Sequence, residues 1–222
     1  MDGLATLMPL ASLLLEATLE TIVMVVASTA MASVIGVALG IVLVLTHRDG
    51  VVPRPLVHRV VGALVNVGRS VPFVILMVAI IPFTRFVTGT SIGTRAAIVP
   101  LVVAAIPYVA RVAHAALEEV PRGLVDAIVA MGATPLQVVR EAYLREARPA
   151  LARGLTLTAI SLVGYSAMAG AIGGGGLGDL AVRYGYQRFR TDVMVATVVV
   201  LVVLVQALQA TGERLARRLD HR

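Results

Sequence analysis

The sequence predicts an all-α integral membrane protein with about five transmembrane helices and a cytoplasmic helix-turn-helix segment. Three observations carry that prediction. Of 222 residues, 58% are hydrophobic and only 14% charged, against roughly 45–50% and 25% in soluble domains, an excess that a soluble core of this size cannot hide. Apolar runs of one helix length recur along the chain, and a bilayer core of about 30 Å takes about 20 such residues per crossing. The charges gather between those runs. Residues 1–222 are therefore expected to form a single transmembrane domain.

The first span is Thr21 to Thr46, preceded by Glu16 and Glu20 and closed by His47, Arg48, Asp49 and Gly50. Nothing basic precedes it, so it lacks the positive start of a cleaved signal peptide and is expected to stay in the mature protein. The second, 62–81, is interrupted by Asn66, Arg69 and Pro72, and the third, 92–110, contains Pro100 and Pro107. Membrane helices tolerate proline where neighbours satisfy the freed carbonyls. The fourth, 156–172, runs into a glycine tract, and the fifth, 193–208, precedes the basic tail Glu213 to Arg222.

An odd number of spans puts the termini on opposite sides, and arginine decides which. With the N-terminus outside, the inner loops receive Arg48, Arg54, Arg59, six arginines from Arg111 to Arg153 and four in the tail, while Arg85, Arg95, Arg183, Arg188 and Arg190 lie outside. The expectation is N-terminus outside, C-terminus inside, with Phe83, Phe86, Tyr184, Tyr186 and Phe189 near the outer headgroups. Rows of small residues, Ser28, Ala32, Gly36, Gly40 and Ser166, Gly170, Gly174, predict close helix packing.

Composition also excludes functions. There is no cysteine, hence no disulfide and no thiolate metal site. All 19 basic residues are arginine, so the lysine of a phosphate-binding P-loop is missing and ATP cannot be held that way. The net charge of +6 is spread over loops with no basic stripe interleaved with aromatics, which argues against nucleic acid. His47, His58, His114 and His221 show no paired spacing for a metal, and the two near cytoplasmic arginines read as solvated surface. Gly173, Gly175 and Gly178 match G-x-G-x-x-G, but a membrane helix precedes them where the dinucleotide motif needs a strand; a flexible external turn is the expectation. The predicted spans hold no acidic residue, so an intramembrane enzyme has no carboxylate to work with.

The loop 111–153 is the most informative stretch. Pro121 suits a helix start, Leu124, Val125, Ile128, Val129 and Met131 follow at helical spacing, and Gly132 stops the helix. Thr134, Pro135 and Gln137 then form a capping box. The second helix puts Leu136, Val139, Tyr143 and Ala147 on one side, pairs Glu141 with Arg145, and is expected to end at Pro149. Such a pair is either a surface connector or a rigid knob for a cytoplasmic partner.

This loop resembles that of the permease subunits of binding-protein-dependent ABC importers, whose pattern is E-A-A, three residues, Gly, nine residues, I-x-L-P. Asp126, Ala127, Ile128, Gly132, Ala142, Leu144 and Arg145 occupy those positions; Ala127, Gly132 and Leu144 match, Asp126 is a conservative change, and Ile128, Ala142 and Arg145 depart. Arg145 in place of proline is expected to leave the second helix straighter. The runs 66–76 (NVGRSVPFVIL), 81–87 (IPFTRFV), 89–93 (GTSIG), 130–135 (AMGATP) and 162–169 (LVGYSAMA) resemble the methionine-importer branch of that family. The resemblance implies a homodimer in the bacterial cytoplasmic membrane, two separate ABC ATPase subunits that bind the ATP and Mg, and an extracytoplasmic methionine-binding lipoprotein. It makes Asp126, Ala127, Met131, Gly132, Ala133, Thr134, Pro135 and Leu144 the coupling residues.

Two groups inside the spans are path candidates. Asn66 and Arg69 either face a water-filled path, as intramembrane charge usually does, or belong to an interfacial helix before Pro72. Ser161, Tyr165, Ser166 and Met168 supply hydroxyl, aromatic and thioether groups suited to a small amphipathic amino acid, or else pack the core. A permease for another amino acid or small organic solute and a passive channel are the competing functions; ATP-independent flux would mark the channel.

Overall fold

In a computed structural model the described residues are 2–220, with side chains from Ala11 to Asp220, so His221 and Arg222 of the basic tail lie outside them. Every element among them is helical. α1 spans Asp2–Thr46, α2 Pro55–Ser70, α3 Phe73–Ala79, α4 Ile81–Thr88 and α5 Thr94–Glu118; α6, α7 and α8 are Arg122–Ala130, Pro135–Val138 and Leu144–Glu146; α9, α10 and α11 are Arg148–Ala169, Gly176–Leu180 and Thr191–Leu219. Among the described residues, Ala11–Thr46, Thr94–Glu118, Arg148–Gly174 and Thr191–Leu219 are long and apolar enough to cross a membrane, and α2 with α3 makes a fifth if counted as one broken span.

The breaks follow from local chemistry. The 62–81 run divides at Val71, which is extended (φ −82°, ψ 122°) because the ring of Pro72 disfavours helical geometry in the preceding residue. After α1, Gly50 turns the chain under the helix end: its N–H donates to His47 O at 3.0 Å, and a Cβ there would stand 2.4 Å from Leu45 O. Pro55 then opens α2 at a position that needs no N–H. Pro149 lies in the first turn of α9. It therefore opens a helix where the sequence suggested an end, because the missing N–H is harmless there.

The chain sorts into two compact units. One gathers residues up to Ala30, Pro72–Val103 and Ala159–Leu208; the other gathers Met31–Val71, Ala104–Thr158 and the chain from Gln209. In the first unit, Ala17, Leu177, Leu180 and Val193 form a core, and the rings of Phe73 and Tyr165 stack 4.7 Å apart. On α11, Val195, Val198, Val199, Val202 and Val203 are exposed, an apolar exterior that suits lipid.

In the second unit the predicted small residues do close packing. A Cβ on Gly36 would sit 2.6 Å from Val109 Cβ, and one on Gly40 2.7 Å from Ala113 Cβ, so these glycines let α1 lie against α5 at backbone contact. Beyond that contact Val44, Leu117, Val120, Val125, Val138, Ala142 and Tyr143 build an apolar cluster. Its members come from α1, α5 and the α6–α8 segment, so the segment is anchored by packing as well as by its chain ends.

Candidate coupling segment and membrane path

The α6–α8 segment is held by two interlocking backbone devices. At the end of α6 Gly132 takes φ +83°, its N–H donates to Val129 O at 2.9 Å, and Ala133 N–H donates to Ile128 O at 3.4 Å. That pair of bonds is the Schellman closure, which glycine permits because the left-handed conformation costs it nothing. Two residues on, Thr134 N–H donates to Gln137 Oε1 at 2.8 Å and Gln137 N–H to Thr134 Oγ1 at 3.4 Å, completing the predicted capping box with Pro135 in the first turn. Stop and start are separated by a single residue, Ala133.

The helix after Pro135 carries an inserted residue that its sequence does not announce. Residues Val139–Tyr143 form a π turn between α7 and α8. The extra residue turns the side chains, so that Val138, Val139, Ala142, Tyr143 and Ala147 are all buried while Leu136 is 77% exposed. Arg145 points outward, 4.0 Å from Glu141 Oε2. The departure at Ala142 also has a physical place, since a small residue fits a fully buried position. Burial pushes the Tyr143 phenol above its ordinary range; nearby Arg122 opposes the shift and Asp126 adds to it.

Asp126, Ala127, Met131, Gly132, Thr134 and Pro135 are exposed, while Ala133 and Leu144 are half-buried. Met131 is 78% exposed. With Leu136 it presents two large apolar side chains on the two sides of the Gly132 turn, over a buried core, an arrangement suited to being gripped.

The path candidates divide. Ser161, Tyr165 and Met168 are spaced four and three apart and share one face of α9, half-buried, half-buried and exposed respectively. Ser166 is buried off that face and donates to Val163 O at 2.8 Å, so its hydroxyl is already used within its own helix. Asn66 and Arg69 are both exposed on α2.

Sequence reasoning missed Glu20. The glycine tract expected as a flexible turn is tightly fitted: Gly173, Gly175 and Gly176 have φ of 92°, 80° and 74°, and Gly93 N–H donates to Gly173 O at 2.8 Å. Glu20 Oε2 accepts the N–H of Gly176 at 2.6 Å and Thr21 Oγ1 accepts that of Leu177 at 2.9 Å, so two side chains of α1 satisfy the start of α10. An acidic residue within a helix long enough to span, in the same chain as a glycine tract, was the available signal. Around this turn Glu16, Glu20, Thr94, Asp179, Arg183 and Tyr184 line a cavity of about 330 Å³, with Asp179 and Arg183 paired.

His114 is buried, because α1 packs so closely on α5 that a Cβ on Gly40 would lie 2.9 Å from His114 N. Among the described residues no three His, Asp or Glu side chains converge to hold a metal.

Membrane-length helices carrying an exposed, doubly capped helix pair define an integral membrane protein. The chain belongs to the family of binding-protein-dependent transport system inner membrane components, whose sequence profile matches residues 32–222. It is 53% identical over 210 residues to the probable D-methionine transport system permease protein MetI of Vibrio cholerae, covering 95% of this chain and 93% of that one. It is 48% identical over 162 residues to the D-methionine transport system permease protein MetI of Escherichia coli K12, covering 73% and 75%. Among solved structures, it superposes on a chain of the inward-facing MetNI methionine ABC transporter with a TM-score of 0.94 at 46% identity, covering 96% and 99%. An amino acid ABC transporter crystallised with histidines shares the fold at 16% identity and a TM-score of 0.78.

Proposed function

We propose that the chain is the permease subunit of an ATP-driven methionine importer in the bacterial cytoplasmic membrane, with its N-terminus outside and its C-terminus inside. Two copies form the path, two separate ATPase subunits bind ATP and Mg and grip the α6–α8 segments, and an extracytoplasmic binding protein delivers substrate. The observation that carries the reading is the segment itself: a Schellman closure abutting a capping box, seated on a buried core, with Met131 and Leu136 outward. A lever must be stiff to pass motion on, and these bonds remove the freedom a plain loop would have. The coupling residues are Asp126, Ala127, Met131, Gly132, Ala133, Thr134, Pro135 and Leu144.

Closure of the ATPase pair drives the two segments together and reorients the helices that continue from them. Substrate then passes along the face of Ser161, Tyr165 and Met168, with Ser166 supporting that helix from behind; Asn66 and Arg69, exposed on α2, are the path candidates of the other unit. The total lack of lysine fits this division of labour, since the chain has no P-loop of its own. The test is to co-purify the chain with its co-expressed ATPase, reconstitute both in vesicles with the binding protein, and measure methionine uptake. ATP-dependent accumulation is expected. Flux that proceeds equally without ATP would replace the importer with a channel.

A further inference from the structure

Three histidines distant in sequence meet in the second unit. His47 follows α1, His58 lies in the first turns of α2, and His114 in the last turns of α5. The His47 and His58 ring centres are 5.3 Å apart, and those of His58 and His114 6.0 Å apart. His58 Nδ1 faces the carbonyl of Leu43 at 3.0 Å; a carbonyl only accepts, so Nδ1 carries the hydrogen and Nε2 is the basic nitrogen. His47 Nδ1 faces the backbone N–H of Asp49 at 3.4 Å, which only donates, so here Nδ1 is the basic nitrogen.

His114 is 5% exposed, and neither of its ring nitrogens makes a hydrogen bond among the described residues. Glu118 Oε2 comes within 3.4 Å of Nδ1 but not in hydrogen-bonding geometry. A buried polar group left unmatched calls for a reason. The charged and titratable groups that face it are Glu118 and Arg111 from its own helix, His58 from α2 and His47 from beyond α1. At the edge of the cluster the Asp49 carboxylate lies between an imidazole and a guanidinium: 3.8 Å from His47 Nδ1 and 3.6 Å from the guanidinium of Arg122, which begins α6. A cavity of about 330 Å³, lined by His47, Asp49, Glu118, Arg122 and Tyr143 among others, adjoins this edge and offers protons a way in.

We propose that His47, His58 and His114 form a proton-operated joint that sets the position of the α6–α8 segment. A proton on His47 Nδ1 turns an acceptor into a donor, displaces the Asp49 N–H and draws the Asp49 carboxylate away from Arg122. A proton on the cluster also offers Glu118 a cationic partner, while a second is opposed across 5.3–6.0 Å by the first. Acidification therefore releases the start of α6. That release regulates coupling only if the proposed function holds; the joint itself does not depend on it.

The cysteine-free chain permits a direct measurement. Arg48→Cys and Gly123→Cys, spin-labelled in lipid nanodiscs with the co-purified ATPase, are expected to change their separation between about pH 7.5 and about pH 5.5. The change is expected to vanish when His47→Gln and His58→Gln are combined. In the chain with its native histidines, NMR of the imidazole Cε1–H signals is expected to show mutually broadened, coupled titrations, a readout that survives even if the variants misfold. A separation independent of pH, one whose pH response persists in the double variant, or three independent titrations would overturn the joint. A pH-dependent separation with an unchanged ratio of ATP hydrolysed to methionine imported would leave the joint standing and count against the coupling role.

Discussion

Two glycine-punctuated turns, one in each unit, use the same residue for opposite reasons. At Gly132 the backbone takes φ +83° and nothing lies within 4 Å of where a Cβ would be, so glycine serves conformation alone. At the 173–178 turn conformation and space both demand it: a Cβ on Gly175 would meet Glu20 Oε2 at 2.8 Å, one on Gly176 Thr21 Oγ1 at 2.6 Å, and one on Gly178 the Ala167 carbonyl oxygen at 2.3 Å. The first turn is rigid because hydrogen bonds close it, and its glycine faces open space. The second is rigid because it is wedged. A free, stiff turn suits a surface that a partner must enter, whereas a wedged one suits a fixed closure within a helix bundle.

The largest effect is expected at the wedge. Gly178→Ala forces backbone against backbone, and overpacking of this kind costs about 3 kcal/mol; thermal unfolding of the purified protein should show it, with loss of folded yield. Gly132→Ala, facing open space, should cost only about 1 kcal/mol of left-handed strain, and equal losses at the two sites would dissolve the comparison. Gly132→Pro goes further at the free turn, since proline cannot adopt φ +83° and removes the N–H given to Val129. It is expected to leave membrane insertion and ATP hydrolysis intact while abolishing uptake, measured in the reconstituted complex. Retained uptake would mean that the segment is no lever.

A smaller effect is expected from Glu20→Ala, which leaves the Gly176 N–H without its acceptor at a cost of about 2 kcal/mol, with Glu20→Gln restoring most of it. Hydrogen exchange at Gly176 and Leu177 would check this. Thr134→Ala should cost about 1 kcal/mol as a lost cap. The smallest effect concerns alkali: because burial raises the Tyr143 phenol, the neutral form stabilises the segment below the phenol's ordinary value of about 10, and that contribution is lost as pH rises through the higher folded value. Tyr143→Phe should flatten the decline in stability above about pH 10.

Local chemistry was legible wherever neighbouring residues decide it. The run from Gly132 to Gln137 announces a stop and a start within six residues, and both appear bond for bond. The small-residue row at Gly36 and Gly40 announced close packing, though not that α5 would be the neighbour. The π turn at Val139–Tyr143 was not legible, because an inserted residue in a helix is decided by the core it must fill. Glu20 and His114 were not legible for a related reason: each takes its surroundings from groups many residues away.

Hydropathy, arginine placement and capping residues are properties of short windows, so the sequence by itself determined a helical membrane protein with a stiff, doubly capped segment. Which carboxylate satisfies the glycine turn, which face of α9 remains available and which three histidines share one corner depend on contacts between distant segments. Only the tertiary structure decided those, because the energy of a buried polar group is set by whatever the fold brings beside it.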